Sequence, residues 1–485
     1  MMKKRIWAGM LTAAIAAGIL TGCGGSGSET TAAAGGDNKQ AESTAAAGAD
    51  KQEAGNSQEA AGGERKAFPA GTITMYGTGQ PQYLLEYFNA WLERNQDIAA
   101  GITLEMVQTE GTAQSRERIT MTALAGADDD LPDAVYLDPV NIMDLSQAGL
   151  LRDETEYLQP YLSEFVDGAA NDATINGKIY GLPDAVRPNV LFYNQEIFDK
   201  YEVDPAMMST FEGYIEAGRQ LKEKSNGSVY LSYVSPSSKT WRYWGRRGLM
   251  PQANAKIWDD AGNVVIGEDP GTKLALTTLD TMMQEGLLLK SEIMEPALYD
   301  AINNQQVATF YIGAFWDEFL RKNCQAVSGQ WRVMASPIFE EVGTTGAPVS
   351  TYFCIVNKGD NTYAELLEMM WHDFHFDVES RNAWVSKMEA DNAPYANPIT
   401  KTLLEDEFWK EPSEYYGGMS FREMEGKCLA NGSKNLVVTP QDAQADEIIS
   451  AELETYIAGN QSIEDAIANM DKNLKAKIGT AEIIQ

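Results

Sequence analysis

The chain has 485 residues, with 38 Lys and Arg against 70 Asp and Glu, a formal charge of −32. Acidity on that scale argues against nucleic acid and anionic lipid as partners for the surface as a whole. The four cysteines have no short spacing between them, so no disulfide framework is expected, and Cys324, Cys354 and Cys428 are read as buried thiols.

Lys3, Lys4 and Arg5 precede an apolar run from Ile6 to Leu20, then Thr21 and Gly22. This is the order of a secretory signal peptide, predicted over residues 1–22. The run is shorter than the roughly 20 residues a helix needs to span a bilayer. Leu20-Thr21-Gly22-Cys23 resembles the lipobox of bacterial lipoproteins. The resemblance implies an exported protein lipidated on Cys23 and anchored on the outer face of the cell membrane. From Gly24 to Lys66 there is no aromatic, Val, Ile, Leu or Met residue, so residues 23–66 read as a disordered tether with a reach of roughly 35 Å. Residues 67–485 exceed what one hydrophobic core usually serves, which predicts two packed lobes.

Thr72 to Tyr76 alternates as a strand and runs into Gly77-Thr78-Gly79-Gln80. A helix is predicted from Pro81, with Leu84, Tyr87, Phe88 and Trp91 on one face, and Ile102, Leu104 and Met106 alternate as a second strand. Ala134 to Leu137 forms a third strand after the turn signal Leu131-Pro132-Asp133. Alternation of this kind predicts a mostly parallel sheet covered by helices. Ligands then bind beyond the carboxyl ends of strands, which singles out Gly77, Thr78 and Gln80 and the stretch from Asp138 to Asn141. Near the end of the chain, Ser462 and Asp465 cap a helix whose stripe is Ile463, Ala466, Ile467, Met470, Leu474 and Ile478.

Several stretches together resemble the family 1 extracellular solute-binding proteins of ABC importers. They are Pro132-Asp133-Ala134-Val135-Tyr136; Asn176-Gly177-Lys178-Ile179-Tyr180-Gly181-Leu182-Pro183, leading to Leu191-Phe192-Tyr193-Asn194; the run Ala308 to Trp316; and Glu454 to Ile457 with Ser462 to Ala466. The resemblance implies a two-lobed α/β fold of the periplasmic-binding-protein type, with hinge crossings and a ligand cleft between the lobes. The first lobe is expected over 67–186 with a return at about 340–400, and the second over 187–339 with C-terminal helices at about 401–485. The implied function is capture of a carbohydrate, foremost an oligosaccharide, by a monomer that hands it to a membrane permease, with no cofactor.

A carbohydrate site wants rings to stack on and planar polar groups to grip hydroxyls. Trp241-Arg242-Tyr243-Trp244 offers both, with Gly245-Arg246-Arg247-Gly248 after it; the competing role for these aromatics is core packing. The resemblance places Trp316, beside Asp317, at the ligand side of a second-lobe strand. Asp138 suits sugar hydroxyls or a helix cap equally. Arg187 is a candidate to hold the carboxylate of an acidic sugar, or else to form an ion pair at the hinge. Tyr352 is a weaker ligand candidate. His372 and His375 stand three apart with no third ligand at a recognisable spacing, so neutral histidines on a partly exposed helix are expected and no metal. No nucleophile elbow or P-loop is present, and no catalytic residue is assigned. The alternatives are a surface glycan-degrading enzyme, which needs only two carboxylates, and a binder of a non-sugar solute or macromolecule.

Overall fold

Apolar residues alternate along the first strand, where Ile73 and Met75 are fully buried, and the elements follow in chain order. The computed structural model describes residues 66–78, 82–166, 168–391, 393, 395, 398–429 and 431–484. The readings for residues 1–22, Cys23, nearly all of the tether and Gln80 lie outside the described residues. Strand β1 (Gly71–Thr78) leads to α1 (Gln82–Arg94), β2 (Ile102–Thr109), α2 (Thr112–Leu124), β3 (Ala134–Leu137) and α3 (Pro139–Gln147). The long strand β4 (Leu182–Asn194) follows, then a π-helix (Trp241–Leu249), β5 (Thr309–Gly313), α4 (Trp316–Asn323) and β6 (Trp331–Ala335). Later come β7 (Pro348–Ile355), α5 (Ala364–Phe376), α6 (Phe421–Leu429), α7 (Asp442–Ile457) and α8 (Ile463–Lys477).

The main sheet runs β6-β4-β7-β3-β1-β2, with β5 also paired to β4. Within this sheet, among the described residues, β1 pairs parallel with β2 and β3, while β7 pairs antiparallel with β3, and β4 antiparallel with β5, β6 and β7. The sheet is therefore mixed rather than mostly parallel. The opening strand-helix alternation builds the parallel part, and strands returning from distant parts of the chain insert the other way.

Strand β4 changes company halfway along. Leu182 to Pro188 pairs with β7, and Asn189 to Asn194 pairs with β5 and β6. Pro188 stands opposite Pro348 at the changeover, where a residue without an amide proton costs no ladder bond. The hydrophobic clusters divide at the same point. One collects Val190 to Phe339 and then Tyr415 to Ala481. The others collect Ile73 to Leu182 and Tyr352 to Trp409. The result is an α/β protein of two lobes that share β4.

Other features follow from local chemistry. Tyr87, Phe88 and Trp91 of α1 are buried and Leu84 is half-buried. Ser462 Oγ accepts the Asp465 amide at 3.0 Å, and Ile463, Ala466, Ile467, Met470 and Leu474 bury one face of α8. Cys324, Cys354 and Cys428 are buried and unbridged. His375 departs from the partly exposed setting expected for it: it is fully buried 3.5 Å from Asp184, and burial holds both it and His372 below the ordinary histidine range.

Arg187, on the first half of β4, is buried and donates to Glu318 of α4 at 3.1 Å and to the Tyr395 carbonyl at 3.2 Å. Its Nε lies 3.4 Å from Glu425 of α6, whose carboxylate oxygens accept no hydrogen bond. Burial, reinforced by the charges of Asp317 and Glu318 and opposed by Arg187, pushes Glu425 from the ordinary 4.5 up to about 7. With its native pKa raised, this group stabilises the fold fully below about pH 4.5, and that contribution is lost as pH rises through about 7. Glu425→Gln is expected to remove roughly 1–3 kcal/mol of that fall, read by urea unfolding at pH 5 and pH 7.5; an unchanged difference between the two pH values would contradict this assignment.

Candidate functional site

A cleft of about 490 Å³ lies between α2 and the start of α3 on one side and the π-helix and α7 on the other, with Pro348 to Ser350 of β7 and residues 435–438 closing its base. That volume is in the range of small-ligand sites. The walls come from elements that pack in different lobes, so the cleft belongs to both.

Asp138 directly follows β3, all four of whose residues are buried, and caps α3 with Pro139 at the first helical position. Its Oδ1 accepts the Asn141 amide at 3.2 Å and the Asn141 side chain at 2.7 Å. Its Oδ2 accepts Thr112 Oγ1 at 2.8 Å, Arg247 at 2.7 Å and Arg242 at 3.2 Å. Burial works to raise the pKa of Asp138, but Arg247, Arg242 and the bonds from Thr112 and Asn141 overcome it and hold the carboxyl at about 2. Asp138 thus caps a helix in one lobe and grips two arginines of the other.

The π-helix explains how two arginines five residues apart reach one carboxylate. Its backbone bonds run from residue i+5 back to residue i, as the Met250 amide bonds the Gly245 carbonyl. Residues five apart therefore share a side, whereas in an α-helix they stand about 140° apart. Arg242 and Arg247 meet Asp138, and Trp241 and Arg246 meet Asp446 of α7, at 2.7 and 3.0 Å respectively. Arg246 also donates to Asp442 at 2.5 Å. The Asn189 side chain, at the changeover of β4, donates to the Arg247 carbonyl and ties the π-helix to the crossing strand. Two glycines make the helix possible. A Cβ on Gly245 would sit 2.3 Å from the Trp241 ring, and one on Gly248 2.7 Å from the Tyr243 carbonyl.

The other candidates are distributed as follows. Asp138, Trp241 and Arg242 line the cleft. Tyr243 and Trp244 turn inward: Tyr243 packs against Phe315 and Trp244 against Tyr233 and Tyr311. Trp316 is fully buried, stacked on Phe319 and Tyr299, because α4 begins directly after a wholly buried strand. Asp317 is buried with Arg321 and the Tyr416 hydroxyl. Tyr352 lies in the core of β7 and donates to the Ala169 carbonyl at 2.9 Å. Arg187 is taken up by its hinge partners and does not line the cleft, and Gly77 and Thr78 end β1 away from the cleft wall.

Reasoning from sequence did not reach Asp446 and Asn435, which join the cleft from the C-terminal region, nor Asp172 and Ser350, where Asp172 accepts Asn435 at 3.1 Å and Ser350 at 3.3 Å. The signal for Arg246 and Arg247 was their place directly after the aromatic and basic run Trp241 to Trp244. Gly245→Ala is expected to cost about 1–3 kcal/mol by crowding the Trp241 ring. Gly426→Ala, whose Cβ would meet nothing within 4 Å, should cost nothing by comparison, with both read from urea midpoints.

A two-lobed fold with a lined cleft between its halves is the form of a solute-binding protein. Residues 76–370 match the bacterial extracellular solute-binding protein family, and the chain belongs to that family. It is 23% identical over 328 residues to the arabinooligosaccharide-binding protein of Halalkalibacterium halodurans, covering 62% of this chain and 71% of the relative. The arabinooligosaccharide-binding protein of Bacillus subtilis is 22% identical over 344 residues, 65% of this chain and 74% of the relative. Among solved structures, the ABC transporter associated binding protein of B. animalis subsp. lactis, in complex with β-1,6-galactobiose, superimposes with a TM-score of 0.71 at 19% identity, covering 84% of this chain and 97% of that one. The galacto-N-biose/lacto-N-biose I-binding protein of Bifidobacterium longum, in complex with lacto-N-biose, gives 0.66 at 18% identity, with 84% and 97% covered.

Proposed function

We propose that this protein captures an oligosaccharide outside the cytoplasm by closing its lobes around it and delivers it to the permease of an ABC importer. The observation that carries this reading is the cleft itself, with one wall from each lobe and a size suited to a short saccharide. A ligand touching both walls favours the closed arrangement because only there does it meet both. The named ligands of the relatives, arabino-oligosaccharide, galactobiose and lacto-N-biose, support the same class.

The protein acts as a monomer, and Leu20-Thr21-Gly22-Cys23 supports a lipid anchor at Cys23 that keeps it beside its permease. It works without catalysis. General acid chemistry on a glycosidic bond needs a carboxyl whose pKa is raised. Burial raises two carboxyls of the cleft, Asp446 to about 6 and Asp172, but Asp446 is already bonded by Trp241 and Arg246 and Asp172 by Asn435 and Ser350, and Asp138 is kept ionised by two arginines.

The test offers arabino- and galacto-oligosaccharides to the mature protein in calorimetry and thermal melts, with chromatography of the recovered sugar. Binding with the sugar recovered intact is expected, and at a hundredfold excess over the dissociation constant the fold should gain roughly 2.7 kcal/mol. Release of shorter products, or no heat and no shift with any neutral oligosaccharide, would overturn the proposal.

A further inference from the structure

Each guanidinium group lining the cleft faces a carboxylate, although the buried Nε–H groups of Arg116 and Arg242 meet no acceptor among the described residues. Four arginines and six carboxylates line it. Arg242 and Arg247 share Asp138, Arg246 lies between Asp442 and Asp446, and Arg116 holds Asp144 at 2.9 Å. Asp172, Glu447 and Glu454 add carboxyl groups to the wall that have no basic partner among the described residues.

Resting on the oligosaccharide reading, we propose that Asp138 is a specificity-determining residue: it fills, as a built-in counter-ion, the anion seat formed by Arg242 and Arg247, so the site takes neutral oligosaccharides and rejects uronate-bearing or sulfated ones. The geometry is that of a carboxylate ligand already in place, with Oδ2 bound at once by Arg247, Arg242 and Thr112. Thr112 and Asp138 stand at the starts of α2 and α3, and the two arginines reach them from the π-helix, where a sugar carboxylate would otherwise meet two donors that match it well. Entry of such a group would place a second anion against Asp138, a repulsion that grows as water is excluded. A neutral hydroxyl bears no such repulsion and bonds the outer edges of the same guanidinium groups.

Asp138→Asn isolates the charge, because Asn is as good a helix cap as Asp and so keeps the start of α3. The wild type, this variant and the double variant Asp138→Asn/Arg247→Gln would be titrated with galacturonate disaccharide, with the matching neutral disaccharide and with inorganic sulfate. The single variant should bind the uronate disaccharide at least tenfold more tightly than the wild type does, and sulfate should raise its Tm beyond the rise seen in the wild type. Both gains should vanish in the double variant. Asp138→Ser, which also caps, serves if the Asn variant unfolds. The sulfate arm needs no sugar, so it reads the anion seat even if the oligosaccharide reading fails. Equal affinity of the wild type for uronate and neutral disaccharides would overturn the proposal. Folded variants that gain neither uronate nor sulfate binding would overturn it as well.

Discussion

The arrangement depends on one strand that serves two cores. Strand β4 bonds to β7 through Pro188 and to β5 and β6 from Asn189 onward, so a single continuous backbone carries both lobes. Opposed prolines at the exchange, Pro188 and Pro348, leave no amide proton stranded where the ladder breaks. Asn189 then uses its amide to bond the Ala347 carbonyl and its side chain to bond the Arg247 carbonyl. The crossing point and the helix that lines the cleft are therefore joined by a direct contact, and a change of angle at one is felt at the other.

Charge pairing is the second constraint. The chain is strongly acidic as a whole, and several of its arginines are held against carboxylates: Arg187 with Glu318 and Glu425, Arg321 with Asp317, and Arg246 with Asp442, whereas the fully buried Arg381 lies over the Phe374 ring. Removing one partner from such a pair costs about 3–5 kcal/mol because it leaves an isolated charge in a poor solvent. The pairs join α4, α6 and α7 to the crossing strand and the π-helix, so they fix which elements lie beside one another. The same chemistry gives opposite results at two places. Two arginines keep Asp138 ionised, whereas Glu425, with one arginine and neighbouring acids, sits near the point of protonation.

Elements made of local pattern were legible in the sequence. The alternation at β1 and β2, the apolar stripe of α1 and the Ser462 cap each depend on neighbours within a few turns, and they appear where the pattern puts them. Sheet direction was not legible, because β7 reaches β3 across more than two hundred residues and no local pattern encodes its sense. Candidate residues divide for the same reason. Residue type marks Trp241 and Trp316 equally, but one lines the cleft and the other is enclosed by Phe310, Phe319 and Tyr299. Arg187 and Arg242 are both cations near apolar strands, and only the partners brought by distant helices separate a hinge brace from a cleft wall. A search for periods of 3.6 and 2 also passes over the π-helix, whose repeat is neither.

That winding can absorb the smallest change in length. Taking one residue from between Arg242 and Arg247 would let the segment rewind toward an ordinary α-helix, in which the two arginines, then four apart, still share a face. Loss of a single residue here would thus exchange one kind of winding for another in the cleft wall without changing which face carries its charge.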